Sequence, residues 1–278
     1  MAEGAALPAP ASGMSRGRIR RAIGAVGVPA LIVLVLVGLW EAIKDLGFLP
    51  ITVPAPSEIG GAFGRSYADL FYHMGPTVLS ALSGFVLATL IALMLGAIAV
   101  SYRKSEPTIL KLGIVVDSIP LIALTPILMV WVGNGLPARI VIATIAALFP
   151  LLVGVVQGFK AVDRNVSDLF HILAASRWQR LVKLAFPSAL PYLFSALKIA
   201  APLSVLGALI AEWVSADRGL GIMMTYALFS FDVPLAWLTI VAVCCLATSA
   251  YGLVAIAERI VVGQPIDAIG AMKGNANG

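Results

Sequence analysis

Charge is what this sequence has least of. Of its 278 residues, 12% are charged and 60% are hydrophobic, whereas a soluble globular domain carries about 25% charged residues to keep its surface solvated. So little charge over this length excludes a soluble enzyme or binding domain and leaves the bilayer as the surrounding medium. Histidine is scarce as well. His73 and His171 are expected in connections on opposite sides of the membrane and cannot form one site. No long apolar run contains a histidine or a facing pair of acids, so the constellations an intramembrane enzyme would need are missing. Cys244 and Cys245 are adjacent inside an apolar run. That spacing offers neither a disulfide framework nor a metal-ligand set, and both read as packing residues.

What is present is a series of long uncharged runs. Residues 22–40, 74–102, 118–138, 140–159 and 233–257 carry no charge, and 190–211 carries only Lys198. Each approximates the ~20 residues a spanning helix requires, so six transmembrane helices are expected. Lys198 is expected to snorkel toward the headgroups from the nearby cytoplasmic end of its span. The apolar stretch 222–231 is too short to cross and reads as a re-entrant or interfacial helix. The Ala-, Pro- and Gly-rich residues 1–15 cannot bury a core and read as disordered, so 1–21 forms a basic cytoplasmic tail. The membrane domain is expected over 22–262, with a second tail at 263–278. Of the 19 Lys and Arg, 14 fall in the connections and tails on one side of the six spans. By the positive-inside rule both termini are then cytoplasmic, in a multi-pass bacterial inner-membrane protein. The basic residues follow topology and form no nucleic-acid stripe.

The connection between the fourth and fifth spans is the most informative stretch. From 165 to 185, Val166, Leu169, Phe170, Leu173, Leu181 and Leu184 recur near a 3.6-residue spacing. Asp168, Arg177, Gln179, Arg180 and Lys183 take the other side. Two short helices joined near residues 174–176 fit the pattern, with Pro187 ending the segment. Periodicity alone leaves two readings open: a helix lying on the bilayer, or a helix seated in the groove of a soluble partner.

The residues themselves resemble a known family. Asp168-Leu169-Phe170, Ala174-Ala175-Ser176-Arg177-Trp178-Gln179 and Leu184-Ala185-Phe186-Pro187 are similar to the cytoplasmic signature of binding-protein-dependent ABC importer permeases. Val53-Pro54-Ala55-Pro56-Ser57-Glu58, Ser118-Ile119-Pro120 and Ala211-Glu212-Trp213 followed by Gly219-Leu220-Gly221 resemble its nitrate/sulfonate/taurine branch, over about residues 28–262. Asp168-Leu169-Phe170 stands where the family has Glu-Ala-Ala, and Ala174 where it has Gly. Alanine does not take a left-handed backbone angle without cost, so a differently shaped turn is expected there. The resemblance implies an all-helical type I importer-permease fold whose residues 165–187 are coupling helices. It implies two ATPase subunits, a second permease copy or paralogue, and a periplasmic substrate-binding protein as partners. It also implies cargo that is a small anion or a small organic nutrient. The chain has no G-x-x-x-x-G-K-[ST] loop, so it binds no cofactor itself, and ATP with Mg is expected on the partner ATPase.

The pathway is less legible. Pro120 and Pro126 in the third span, Pro150 in the fourth and Pro202 in the fifth each free a backbone carbonyl, and broken helices can line a route. Ordinary kinks are the simpler reading of any single proline. Ser118, Pro120, Pro126, Glu212, Met223 and Tyr226 are the candidate pathway residues. Asp117 and Glu212 read first as interfacial or helix-pairing acids, Met223 and Tyr226 as packing, and Trp131, Trp213 and Trp237 as interface anchors. The rival to an importer is a self-contained secondary transporter or channel. That reading leaves the cytoplasmic signature unexplained, and no repeat between the two halves supports it.

Overall fold

The computed structural model describes residues 14–102, 104–162, 166, 170, 172–173, 175–215 and 217–262, and among them there are helices and turns but no strand. The chain divides into two compact units, residues 1–61 and 62–278. The first unit contains α1, Met14–Asp45, and the opening of α2, Pro56–Ser101. The expected first span, 22–40, falls within α1, whose apolar residues from Leu31 to Val37 are all exposed. The start of α2 follows from its sequence. Pro56 takes the first helical position, where its missing N–H costs nothing. Glu58 reaches back to accept the Ala55 N–H at 2.9 Å, one half of a capping box. Glu41 of α1 accepts the next free donor, the Ser57 N–H, at 3.0 Å.

Among the described residues, the second unit holds the rest of α2 and seven further helices. These are α3, Glu106–Asp117; α4, Leu121–Val132; α5, Leu136–Lys160; α6, Arg177–Arg180; α7, Phe186–Ser215; α8, Leu220–Phe229; and α9, Val233–Val261. A π-turn, Leu181–Ala185, joins α6 to α7 without a break. In lipid no hydrophobic force draws one helix to another, so close backbone approach must do the work. Small residues on α5 provide it. A Cβ on Gly154 would overlap the Ala196 methyl, and one on Gly158 would come within 3.0 Å of the Ala189 methyl. Ala88 and Ala92 of α2, Leu151 and Val155 of α5, and Ala196 and Ala200 of α7 form one buried cluster. α9 packs Val243, Leu246, Ala247 and Ala250 against a second cluster that contains Ala143 and Ala208.

Among the described residues four helices are long and apolar enough to cross a membrane, and α3 with α4 makes a fifth if the bent pair is one span. Several expectations need correction. The third run, 118–138, is not a straight helix. Its first residues form a break between α3 and α4, which are bent by 96°, because Pro120 has no N–H with which to continue α3 and sits at ψ 114°. The second span is longer than its uncharged run: α2 begins at Pro56 and is kinked at Ser66, and His73 lies inside it rather than in a connection. Lys198 does not reach out alone but forms a 2.8 Å ion pair with Glu258 of α9. Pro187 does not end the 165–187 segment either. The preceding π-turn shifts the hydrogen-bond register where Pro187 lacks a donor, and the helix continues through α7.

Candidate functional site

Two groups of the sequence-selected residues have a definable environment. The first lies between α5 and α7. α5 ends at Lys160, and its C-cap Ala161 N–H donates to the Gly158 carbonyl. Asp168 and Ala174 lie outside the described residues, as do Leu169 and His171. Val166, Ile172 and Leu173 present exposed apolar side chains, Ile172 being 81% exposed. Ala175 donates its N–H to the Phe170 carbonyl at 3.0 Å. Ser176 then starts α6 with a complete capping box. Its hydroxyl accepts the Gln179 N–H at 3.2 Å, while Gln179 Oε1 accepts the Ser176 N–H at 2.9 Å. The Ser-x-x-Gln spacing in the sequence is itself a helix-start signal. Arg177 and Trp178 follow in α6, Leu184 is half-buried and Pro187 exposed. Ala185 belongs to the buried α5–α7 cluster together with Phe159 and Ala189. The second half of the segment is therefore one rigid piece with a spanning helix.

The second group surrounds the N-terminus of α8, where helix geometry leaves backbone donors without intrahelical partners. Three of them are met by side chains. The Gly219 N–H donates to His73 Nδ1 at 3.2 Å, the Leu220 N–H to Thr77 Oγ1 at 2.9 Å, and the Gly221 N–H to Glu212 Oε2 at 2.9 Å. His73 and Thr77 stand one turn apart on α2, and Thr77 also donates its hydroxyl to Glu212 Oε2 at 3.0 Å. Glu212 is fully buried near the end of α7, with a carboxylate at the positive end of a helix dipole. Its Oε1 and the nearby Arg139 Nε are both buried without a hydrogen-bond partner. Arg139 spends one guanidinium N–H on the Arg218 carbonyl at 3.1 Å, and the Arg218 guanidinium lies 4.9 Å from the Tyr72 ring centre.

Glycine is required at 219 for two reasons. Its φ is +144°, and a Cβ would collide with the Glu212 carboxyl group. At Gly221 a Cβ would come within 2.8 Å of Glu212 Cβ and the Leu209 carbonyl. The Ala-Glu-Trp and Gly-Leu-Gly motifs are thus two halves of one joint. The sequence gives no comparable signal for His73 or Thr77, whose part depends on where α2 passes.

The remaining candidates do not converge. Ser118 is exposed, caps α3 and donates to the Ile114 carbonyl at 2.7 Å. Pro120 is the N-cap of α4, and Pro126 lies inside it. Met223 is buried in the packing of α8, whereas Tyr226 is 63% exposed. A cavity of about 450 Å³ between α3, α5 and α7 is lined by none of them; Glu106, Phe149, Gln157, Lys160 and Tyr192 contribute to its wall. Among the described residues no group of three His, Cys, Asp or Glu is placed to hold a metal ion.

Residues 84–262 match the family described as the binding-protein-dependent transport system inner membrane component. The chain belongs to that family. It is an ABC importer permease, a multi-pass transport subunit rather than an enzyme, of the nitrate/sulfonate/taurine branch. The riboflavin transport system permease RibX of Chloroflexus aurantiacus is 30% identical to it over 86% of this chain and 90% of the relative. The formylaminopyrimidine transport permease ThiX of Halalkalibacterium halodurans is 30% identical over 74% of this permease and 83% of the relative. Among solved structures, an inward-facing form of the MetNI methionine ABC transporter superposes with a TM-score of 0.58 at 23% identity, covering 70% of this chain and 95% of that one. That likeness shows the fold.

Proposed function

We propose that this permease pairs with a second permease copy or paralogue to enclose a translocation route, driven by two ATPase subunits that carry ATP and Mg. A periplasmic binding protein would deliver the cargo, a small anion or small organic nutrient. Both termini lie in the cytoplasm, and residues 165–187 are the coupling segment, with Asp168, Ala174, Ala175, Ser176, Arg177, Trp178, Gln179, Leu184 and Pro187 at or near the ATPase contact. The cargo range rests on relatives described as permeases for riboflavin, formylaminopyrimidine, aliphatic sulfonates, taurine and bicarbonate.

The observation that supports coupling most directly is the continuity of α6, the π-turn and α7, anchored by Ala185 in the α5–α7 core. A push on α6 is transmitted along a spanning helix instead of being absorbed by a loop, as rocking of a bundle between two access states requires. The exposed Val166, Ile172 and Leu173 give the same segment an apolar surface suited to a partner's groove.

The test is purification of the tagged permease from its native membrane with identification of the co-purifying chains. An ATPase with a phosphate-binding loop is expected in near-equal ratio to total permease. Arg177→Glu combined with Leu184→Asp should abolish transport-coupled ATP hydrolysis while membrane insertion persists. Unchanged coupled hydrolysis in that variant would remove residues 165–187 from the contact.

A further inference from the structure

α3 is held loosely. None of its residues from Glu106 to Asp117 is buried. A cavity of about 450 Å³ separates part of it from α5 and α7, and another of about 140 Å³ lies between it, α2 and α5. It rests the half-buried Ile109 and Leu110 against the Ala99, Leu152 and Val156 cluster, and it approaches α5 at Gly113, where a Cβ would stand 3.0 Å from both Phe149 and Leu152. At its C-terminal end the chain breaks through Ser118, Ile119 and Pro120 into α4 at 96°. At its other end Glu106, the first residue of α3, forms a 2.7 Å ion pair with Lys160, the last residue of α5. The pair also sets an acid at the positive end of one helix dipole against a cation at the negative end of another.

Lys160 is the residue from which the chain departs toward the coupling segment. We infer that Glu106 and Lys160 are positioning residues that tie α3 to the root of the coupling segment, so that α3 travels with it. α3 would swing about the Ser118–Pro120 break and slide over Phe149 at Gly113, into or out of the two adjoining cavities. This inference rests on the coupling role proposed for residues 165–187. The broken span supplies the hinge, the absence of buried side chains keeps the movement cheap, and the ion pair decides which neighbour α3 follows. An apolar contact at that end would not do the same job, because it would stay satisfied against lipid wherever α3 moved.

The test uses the full permease complex as isolated, with Cys244 and Cys245 replaced by serine and spin labels at Leu112→Cys on α3 and Gln157→Cys on α5. Distances between the labels are measured without nucleotide and after trapping with ATP and vanadate. The parent should give one narrow distance that shifts on trapping. Glu106→Lys and Lys160→Glu should each lower the population at that distance by about fivefold, the upper range for a partly exposed pair, and suppress the shift. The double reversal, and separately the conservative Lys160→Arg, should restore both. A merely structural role predicts no such rescue by reversed charges. Unaltered distances in the single reversals, or a double reversal that stays broad, would overturn the inference. Failure of the parent to retain an ATPase would instead overturn the coupling reading, while the nucleotide-free distances would still report on the ion pair.

Discussion

Two short helices of this permease, α3 and α8, are near in length and opposite in how they are held. α8 runs over Leu220–Phe229, and the three backbone donors at its start are met by His73, Thr77 and Glu212 from two other helices. Leu220, Gly221, Met223 and Ala227 are buried. α3 runs over Glu106–Asp117, has no fully buried residue, and is held by one partly exposed ion pair, one glycine contact, a bend and the half-buried Ile109 and Leu110 against the Ala99, Leu152 and Val156 cluster. Length does not separate the two, since each alone is too short to span. The difference lies in polar satisfaction: α8 is fixed by buried hydrogen bonds, whose loss is costly in a low-dielectric interior, and α3 by almost none.

The largest way to break this contrast is Glu212→Ala. It removes the acceptor for the Gly221 N–H and for the Thr77 hydroxyl in a fully buried site. The Gly221 N–H is orphaned and the Thr77 hydroxyl keeps only the His73 carbonyl at 3.3 Å, so stability should fall by about 2 kcal/mol. The assembled importer in detergent should unfold at a clearly lower temperature, and transport should fall with it. Glu212→Gln keeps one carbonyl oxygen for the Gly221 donor and should lose less. If alanine and glutamine behaved alike and both were mild, α8 would not be pinned by this residue.

Thr77→Val comes next. It preserves shape but leaves the Leu220 N–H without an acceptor and removes one donor from Glu212. A loss of about 1 kcal/mol is expected, the cost of one unmet buried donor. Combined with Glu212→Ala, the loss should be smaller than the sum of the two singles, because the residues share a network. Strict additivity in that cycle would mean that the two side chains hold α8 independently.

Much of this was legible in the sequence, and the exceptions share a cause. Five of the uncharged runs have helical counterparts because burial in lipid demands a long apolar run and little else. The short helix after the fifth run was visible because its run, 222–231, is too brief to cross. The break at Ser118–Pro120 was hidden because Asp117 and Lys111 interrupt the apolar pattern of α3, so the run begins only at 118, and hydropathy does not register direction. Pro187 was misread as a stop because a proline's missing donor can be absorbed by a π-turn, which has no sequence signature of its own. His73 and Thr77 were not legible as anchors because their part depends on α2 passing the start of α8, far along the chain. Glu212 was marked as an acid near a span end, but its partners Gly219 and Gly221 were read only as a family signature. In each case the pattern along one helix was readable and the meeting of two helices was not.

The smallest expected effect tests the other side of the contrast. Val115 lies on α3, is 60% exposed, and lines neither of the two cavities described above. Truncation to alanine removes two methyl groups from a surface facing lipid or solvent, so Val115→Ala should change stability by less than about 0.5 kcal/mol. Its unfolding temperature in detergent should be indistinguishable from that of the parent, and hydrogen exchange along α3 should remain faster than along α8, because few packed contacts oppose local opening. A loss of 1 kcal/mol or more, at the level of a buried truncation, would show that this face of α3 is covered in the assembled importer. α3 would then be a packed element resembling α8, and the freedom assigned to it would belong only to the isolated chain.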